Sequence, residues 1–394
     1  MKRVLVLGGG FAGVEAAIFL RKENFDVTLV SERDYFYIYP TSIWVPTRET
    51  PFEKVCVALD ALQEVHGFEL VVDKVTHIRA KDGAVELDSG RVLRGYDYMI
   101  VAMGASKMRP KGVEHTLSIC GKPEEAMTLG DRLDALIALG SGKIAMGFGG
   151  NPNDASAVRG GPVFEMMFNV DRLLRKKGVR ERFELTLFAP MDEPGKRMGP
   201  KALKMMGKMF KRCGIYHRFG KKITAFAPEG IHFEDGHTLL SDLTMFVPGL
   251  CGHEVVKHSD LPTNEAGFIR IDDHCRVLFE GQDAPENVYA VGDAAALEGP
   301  PWKAKQGHVA EVMARNAAYN IAQHSRGYSE RKGYQKHLNI LCVMDSGDGA
   351  ALVYRDERRS TAVPLPVVGH WLKKGWGLYC RMSKLEKISR LPGL

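Results

Sequence analysis

The sequence opens with a short apolar run, residues 3–7, followed by three spaced glycines and then by apolar residues at helical spacing. This order predicts a buried strand, a tight turn and a helix. In such a unit Gly8 permits the turn, Gly10 lets the backbone approach a pyrophosphate, and Gly13 lets the helix pack closely on the strand. The helix N-terminus adds free N–H groups and partial positive charge. We therefore predict a dinucleotide site, with contacts from Gly8, Gly10, Phe11, Ala12 and Gly13.

A second apolar run, residues 25–30, leads into Glu32. An acid about 20 residues beyond the glycines can accept hydrogen bonds from an adenosine ribose. The stretch 34–41 is rich in aromatic residues, which suits either the lining of a flat ring system or ordinary packing at a sheet edge. Several β-like runs follow, and the one that starts at Val75 is predicted to add a cofactor contact.

Two further strand patterns, 96–105 and 286–295, run into glycines, Gly104 and Gly292. Each glycine permits close approach to a bound cofactor. Asp293 can accept hydrogen bonds from a ribityl chain, or it can cap a helix that follows. Together with the N-terminal glycines these segments form the FAD pattern of flavoproteins with two dinucleotide domains. We predict an FAD domain assembled from residues 1–108 and 285–325.

The insertion, residues 109–284, opens as a second unit of the same kind. Its strand, 143–148, reaches Gly149-Gly150, but an excursion over 151–162 separates these glycines from the next helix, which is expected near Val163. The following strand ends at Ala189-Pro190 without a carboxylate for a ribose. We therefore predict a second Rossmann-like domain without a good NADH site.

Composition narrows the class of protein. The chain has 394 residues, of which 45% are hydrophobic, enough for two or three domains with substantial cores. A formal net charge of +6 implies no nucleic-acid partner, and no apolar stretch is long enough to span a bilayer. The cysteines are scattered without a C-x-x-C pair, which argues against a disulfide scaffold or a metal site. We expect a cytoplasmic α/β protein that binds no metal.

The C-terminal segment, 326–394, ends in a basic amphipathic pattern. From Gly369 onward it has six Lys or Arg residues against one Glu. Trp371, Leu378, Met382 and Leu385 recur at helical spacing with cations between them. Such a helix suits the headgroup region of an anionic leaflet, which predicts peripheral attachment to the cytoplasmic side of a membrane. A helix that packs on the FAD domain, or a contact in a homo-oligomer, is the alternative.

Over its whole length the sequence resembles the sulfide:quinone oxidoreductases, with flavocytochrome c sulfide dehydrogenases and type II NADH dehydrogenases as relatives. The specific matches are residues 118–120, 160–165, 305–307 and 341–345. The resemblance implies that redox cysteines take up sulfide sulfur and that electrons pass through FAD to a membrane quinone. It further implies that Cys342 and Cys120 lie near the flavin, that Glu165 lies beside the sulfide site, and that Lys305 lies at the pyrimidine edge of the flavin, where a cation stabilises the reduced ring.

The sequence departs from this family at Arg159, which stands where the family carries its loop cysteine. Cys120 and Cys342 could form a substitute pair, one thiolate could act alone, or the donor could be another molecule. Arg159 would lower the pKa of a nearby thiol or hold an anionic substrate. Both cysteines could equally be inert core thiols. The main hypothesis is oxidation of sulfide, or of a related thiol or persulfide, with reduction of quinone. The alternatives are a type II NADH:quinone oxidoreductase and a non-catalytic flavin-binding protein at the membrane surface.

Overall fold

The computed structural model describes residues 1–281 and 284–390. Residues 282–283 and 391–394, which belong to the predicted second domain and C-terminal segment, lie outside the described residues. The strands are β1 (Arg3–Leu7), β2 (Asp26–Ser31), β3 (Tyr35–Tyr37), β4 (Cys56–Ala58), β5 (Glu69–Val72), β6 (Val75–Arg79), β7 (Ala84–Leu87), β8 (Val92–Leu93), β9 (Tyr98–Val101), β10 (Ser106–Lys107), β11 (Gly142–Phe148), β12 (Phe183–Ala189), β13 (Tyr216–Phe219), β14 (Ile223–Ala227), β15 (Gly230–Phe233), β16 (Thr238–Leu240), β17 (Leu243–Val247), β18 (Leu250–Cys251), β19 (Val288–Ala290), β20 (Ile340–Asp345), β21 (Gly349–Arg355) and β22 (Ser360–Pro366). The helices are α1 (Phe11–Lys22), α2 (Leu59–His66), α3 (Glu125–Ala138), α4 (Gly161–Lys176), α5 (Pro200–Cys213), α6 (Glu254–Lys257), α7 (Gly307–Ser325) and α8 (Val368–Lys384).

The first sheet is parallel and has the strand order β19-β9-β1-β2-β5. Its central strand β1 is apolar and buried from Val4 to Leu7, as expected for a strand covered on both faces. Strand β19 comes almost 200 residues after β9 and still pairs with it, Val288 opposite Met99. The chain therefore leaves this sheet after β9 and returns to it much later.

The second sheet, also parallel, has the order β13-β12-β11-β17. Helix α4 packs on it with Phe164, Met167 and Phe168 buried in a second hydrophobic core. Small antiparallel sheets, β6-β7-β8 and β14-β15-β16, flank the two parallel ones. The predicted α/β fold with two Rossmann-like sheets is confirmed, whereas the exact domain boundaries stay a prediction.

The C-terminal part forms an antiparallel sheet, β20-β21-β22, against which α8 packs. The end of α8 is fixed to α1 by a buried ion pair, because Lys384 Nζ donates to Glu15 Oε2 at 2.9 Å and to Glu311 Oε1 at 2.7 Å. Burial would raise the pKa of Glu15, but Lys384 and the arginines Arg390 and Arg315 hold it at about 2. Within the described residues no helix is long and apolar enough to cross a bilayer.

Candidate active site

In the turn between β1 and α1, Gly8 and Gly13 are packed against neighbouring backbone, whereas Gly10 faces open space. Gly8 has φ +114°, and a Cβ on it or on Gly13 would overlap a neighbouring carbonyl oxygen, that of Ala102 or of Gly8 itself. A Cβ on Gly10, in contrast, would meet no described atom within 4 Å. Helix α1 begins at Phe11, and no side chain of residues 1–281 or 284–390 caps its N-terminus. Phosphate oxygens placed in the open space would therefore accept hydrogen bonds from the first N–H groups of α1.

The other residues predicted to contact the cofactor differ in how deeply they are buried. Glu32 follows β2 directly and is exposed, whereas Ala12 is buried in the first turn of α1. Gly104 has φ +72° and open space where a Cβ would stand. Val75, at the start of β6, is only 5% exposed and belongs to the first hydrophobic core. Their roles in binding stay predictions.

At the end of β19 the glycine-aspartate pair adopts a short 3₁₀ turn, Gly292–Ala294. A Cβ on Gly292 would lie 3.0 Å from the Ala12 methyl group, so the glycine allows the two segments to converge. Helix α7 begins only at Gly307, with Gln306 as its N-cap. The expectation that a helix follows Asp293 at once, and that this aspartate could cap it, is therefore wrong. The Asp293 carboxylate instead pairs with the guanidinium of Arg159.

Lys305 is buried just before α7. Its Nζ donates to the backbone oxygens of Asp293, at 3.1 Å, and Ala295, and lies 3.8 Å from the centre of the Phe268 ring. Burial lowers the pKa of Lys305 to about 7, and the positive charge of Arg159 acts in the same direction. Among the described residues Lys305 forms no ion pair with a carboxylate. It is thus a buried amine available to an acceptor on a bound ring.

These features fit FAD. The Oε1 atom of Gln306 is buried and, within the described part of the chain, has no hydrogen-bond partner. The open faces of Gly10 and Gly104, the uncapped start of α1 and the amine of Lys305 supply what a pyrophosphate, a ribityl chain and a flavin ring need. When bound, FAD would accept two electrons from a donor and pass them on.

The corresponding turn of the second sheet is filled by its own loop. A Cβ on Gly150 would lie 2.8 Å from a methyl carbon of Val158, and one on Gly160 would lie 2.5 Å from the ring of Phe148. Helix α4 begins at Gly161, so residues 151–160 separate the glycine turn from the helix N-terminus. A second pyrophosphate has no open backbone here.

Beside this loop lies a cavity of about 350 Å³, lined mainly by residues 155–158 and 191–197. Strand β12 does end at Ala189 without an acid, but Asp192 and Glu193 lie on the cavity wall. The sequence analysis considered only the strand end and missed these carboxylates. Arg197 also lines the cavity, with its Nη1 buried and unpartnered among the described residues.

Cys342, on β20, and Glu165, on α4, are brought together by the fold. Burial raises the pKa of the Cys342 thiol to about 12, and the Glu165 carboxylate adds to this rise, whereas Lys373 opposes it. Burial also raises the pKa of Glu165, although Lys373 forms an ion pair with it and the Asp345 N–H donates to its Oε1 at 2.7 Å. The thiol is therefore protonated at rest and needs a base to react.

Cys120 belongs to the same hydrophobic core as Cys342, but the two are not bonded, and all seven cysteines are free. Cys120 is buried, and its N–H donates to Ser118 Oγ at 3.3 Å. The Arg159 guanidinium forms an ion pair with the Asp293 carboxylate.

The aromatic stretch 34–41 packs as a sheet edge, because β3 pairs with β4 and the tyrosine rings of the stretch contact each other edge-on.

The sequence analysis missed Asp345 and Lys373, which contact Glu165, and His370, which contacts Asp345. Asp345 was quoted only as part of a matched segment, His370 was not assigned a role, and Lys373 was expected on a membrane-facing surface. In the structure Lys373 is 5% exposed and His370 is 5% exposed. Only their spacing of one helical turn hinted that they share a face of α8.

The fold and the glycine cradle define a flavin-dependent oxidoreductase with two dinucleotide-type domains. The chain belongs to the pyridine nucleotide-disulphide oxidoreductase family, whose sequence profile matches residues 2–319. FAD is the cofactor of this class, so the FAD prediction is confirmed.

Individual relatives point to two kinds of quinone oxidoreductase. The chain is 23% identical over 315 residues to a mitochondrial sulfide:quinone oxidoreductase of Dictyostelium discoideum, a match that covers 75% of the chain and 66% of that protein. It is 22% identical to a type II NADH:quinone oxidoreductase of Staphylococcus epidermidis, with 90% of each covered. The crystal structure of the sulfide:quinone oxidoreductase of Aquifex aeolicus has a TM-score of 0.86 at 24% identity, with 98% of the chain and 92% of that structure covered.

Proposed function

We propose that this protein oxidises sulfide, or a related reduced-sulfur thiol or persulfide, and passes the electrons through FAD to a membrane quinone. The observation that carries the proposal is the placement of Cys342 against Glu165, a thiol beside a carboxylate that can take its proton. A sulfur donor needs a thiol that can be deprotonated on demand, and Glu165 is a base of suitable basicity because burial raises its pKa. Lys305 would stabilise the reduced ring.

Arg159 changes how the thiol would work. Because its guanidinium is held by Asp293, the place of the family's loop cysteine is taken by an ion pair. We infer that Cys342 carries the sulfur alone, as a persulfide, and that Cys120 remains a core thiol. This version needs no disulfide between the two.

NADH is the second candidate donor, and the cavity beside residues 155–158 favours it, because Asp192 and Glu193 offer carboxylates for a ribose. Against it stand Val158 and Phe148, which fill the place of the second pyrophosphate. A nucleotide would have to displace a loop that Asp293 and Arg159 fix in place. We therefore rank NADH below sulfide.

The C-terminal helix supports attachment to a membrane surface. Its charged residues His370, Lys373 and Lys384 are buried, whereas Trp371 is 66% and Leu378 62% exposed. A soluble helix has the opposite arrangement, with apolar residues inside. Exposed Val367, Val368 and Leu372 extend the same apolar face. We propose that this face lies in the headgroup region, where a lipid-soluble quinone is available.

The deciding experiment is anaerobic flavin reduction in the purified holoenzyme. We expect sulfide to bleach the flavin absorbance, a short-chain quinone to restore it, and NADH to bleach it slowly or not at all. Cys342→Ser should retain FAD and lose bleaching by sulfide, while Cys213→Ser, a half-buried thiol elsewhere, should behave as the wild type. Rapid bleaching by NADH with none by sulfide would overturn the proposal in favour of the second candidate.

A further inference from the structure

His370 bridges two carboxylates at the start of α8. Its Nδ1 lies 2.7 Å from Asp345 Oδ2, and its Nε2 lies 2.7 Å from Glu49 Oε1. The Asp345 side chain is fully buried, whereas the Glu49 side chain is 22% exposed. The imidazole therefore connects a buried acid to one that reaches solvent.

The buried end of this bridge adjoins the thiol site. Asp345 ends the strand that carries Cys342, and its N–H donates to Glu165 Oε1 at 2.7 Å. Lys373 forms an ion pair with that same Glu165 oxygen and lies one helical turn beyond His370. Glu165 and Lys373 thus lie next to the bridge, joined to it through the backbone N–H of Asp345.

Oxidation of a sulfur donor at Cys342 must release a proton there. When one hydrosulfide ion and the Cys342 thiol join in an S–S bond, two electrons and two protons leave the sulfurs and a persulfide anion remains. A bound FAD would serve as the oxidant for both electrons and would take up one proton, so one proton per turnover would remain to reach solvent. Glu165, which takes this proton from the half-buried thiol, is only 3% exposed, so bulk water cannot collect the proton from it directly.

Building on the proposed function, we propose that His370 is the proton outlet of this site, passing the proton that Cys342 and Glu165 release through Glu49 to solvent. An imidazole suits the task because one nitrogen can accept a proton while the other gives one up.

The surroundings of His370 keep it charged in the resting protein. Hydrogen bonds to Asp345 and Glu49 raise its pKa to about 9. From α4 the Arg172 guanidinium reaches the bridge through its 2.9 Å contact with Glu49, and the Glu165 carboxylate reaches it through the Asp345 N–H. From α8 itself come Lys373 and Lys374, of which Lys374 pairs with Glu49. The charged imidazole therefore transfers its proton to Glu49 only when another proton reaches His370 from the side of Asp345.

The test compares the two half-reactions in the holoenzyme by stopped flow. His370→Gln should slow flavin reduction by sulfide about 10- to 100-fold, flatten its pH profile between pH 6 and 9, and leave reoxidation by a short-chain quinone unchanged. Added imidazole should restore part of the rate. Glu49→Gln should show a weaker form of the same defect, and His258→Gln, an exposed histidine elsewhere, should show none.

Any other outcome would contradict the proposal that His370 is the proton outlet. Equal loss in both half-reactions without rescue by imidazole would mean a purely structural role, and a defect in reoxidation alone would assign the bridge to the quinone side. Wild-type rates in both variants would also exclude it. If sulfide does not reduce the flavin even in the wild type, the proposed function is wrong, and the proton outlet is wrong with it. If sulfide does reduce the wild-type flavin, the proposed function stands, and the variants test the proton outlet by itself.

Discussion

Arg159 and Asp293 form an ion pair that ties the loop before α4 to the turn after β19. Their side chains are only 23% and 17% exposed, so either charge left alone would be poorly solvated. Arg159→Gln and Asp293→Asn should each lower the free energy of unfolding by about 1–3 kcal/mol, and the double variant should lose clearly less than the sum. Urea unfolding of all four proteins measures the coupling. The exposed Lys257–Glu254 pair is the control, expected to show no measurable coupling. Additive losses at Arg159 and Asp293 would contradict the prediction.

The two glycines of the first turn should respond in opposite ways to an added side chain. Gly10→Val places its side chain in open space, so the apoprotein should fold with nearly unchanged stability but bind FAD at least about tenfold more weakly, because the side chain occupies the phosphate position. Gly13→Ala would overlap the Gly8 carbonyl oxygen and should destabilise the fold itself. Thermal unfolding without FAD, together with FAD titration, separates the two effects. Normal FAD affinity in Gly10→Val would show that the pyrophosphate does not bind at this turn.

The sequence was sufficient to predict the parts of the structure that depend on local chain geometry. Glycines that must pass close to another segment of the chain, such as Gly8 and Gly292, are visible as a spacing, and both parallel sheets follow from apolar runs. The filled second turn was also foreseeable, because the loop length is a property of the chain. What the chain order could not supply was which side chains from distant segments meet.

The C-terminal helix illustrates that limit. Its apolar periodicity was recognised, but Lys373 and Lys384 were assigned with the other cations to the face of a helix in the headgroup region. Both are buried because acids from α4, α1 and α7 reach them, namely Glu165, Glu15 and Glu311. A buried charge depends on its partner, and the partners lie 73 to more than 200 residues away in sequence.

Glu165→Gln should make Cys342 more reactive, although it removes a base. The carboxylate helps to raise the thiol pKa to about 12, and its loss leaves the Lys373 ammonium to favour the thiolate. We expect faster labelling by a small neutral methanethiosulfonate between pH 7 and 9, followed by mass spectrometry. Cys275, fully buried far from these charges, serves as the internal reference and should label at an unchanged rate. Slower or equal labelling of Cys342 would show that Glu165 does not set its pKa.

The bridge through His370 should make stability depend on pH in the alkaline range. Its pKa rises from 6.5 to about 9 on folding, so its contribution is complete below about pH 6.5 and disappears as the pH passes through 9. The shift corresponds to a contribution on the order of 3 kcal/mol. The free energy of unfolding should therefore fall between pH 6.5 and 9 in the wild type, and His370→Gln should be less stable at pH 6 and lose this slope. A parallel decline in both proteins would assign the slope to other groups.

The exposed apolar face of α8 should determine binding to vesicles. Trp371→Ser combined with Leu378→Ser removes two anchors whose full burial would contribute about 1.5–3 kcal/mol each, so partitioning should fall at least about tenfold. Leu139→Ser with Leu240→Ser, two exposed leucines in other parts of the chain, is the control and should leave partitioning unchanged. Sedimentation with vesicles that contain anionic lipid measures both. Because the apolar residues rather than salt-sensitive lysines dominate this face, raising the ionic strength should weaken binding less than the double substitution does. Should the control pair reduce binding as much as the α8 pair, the membrane contact lies elsewhere on the molecule.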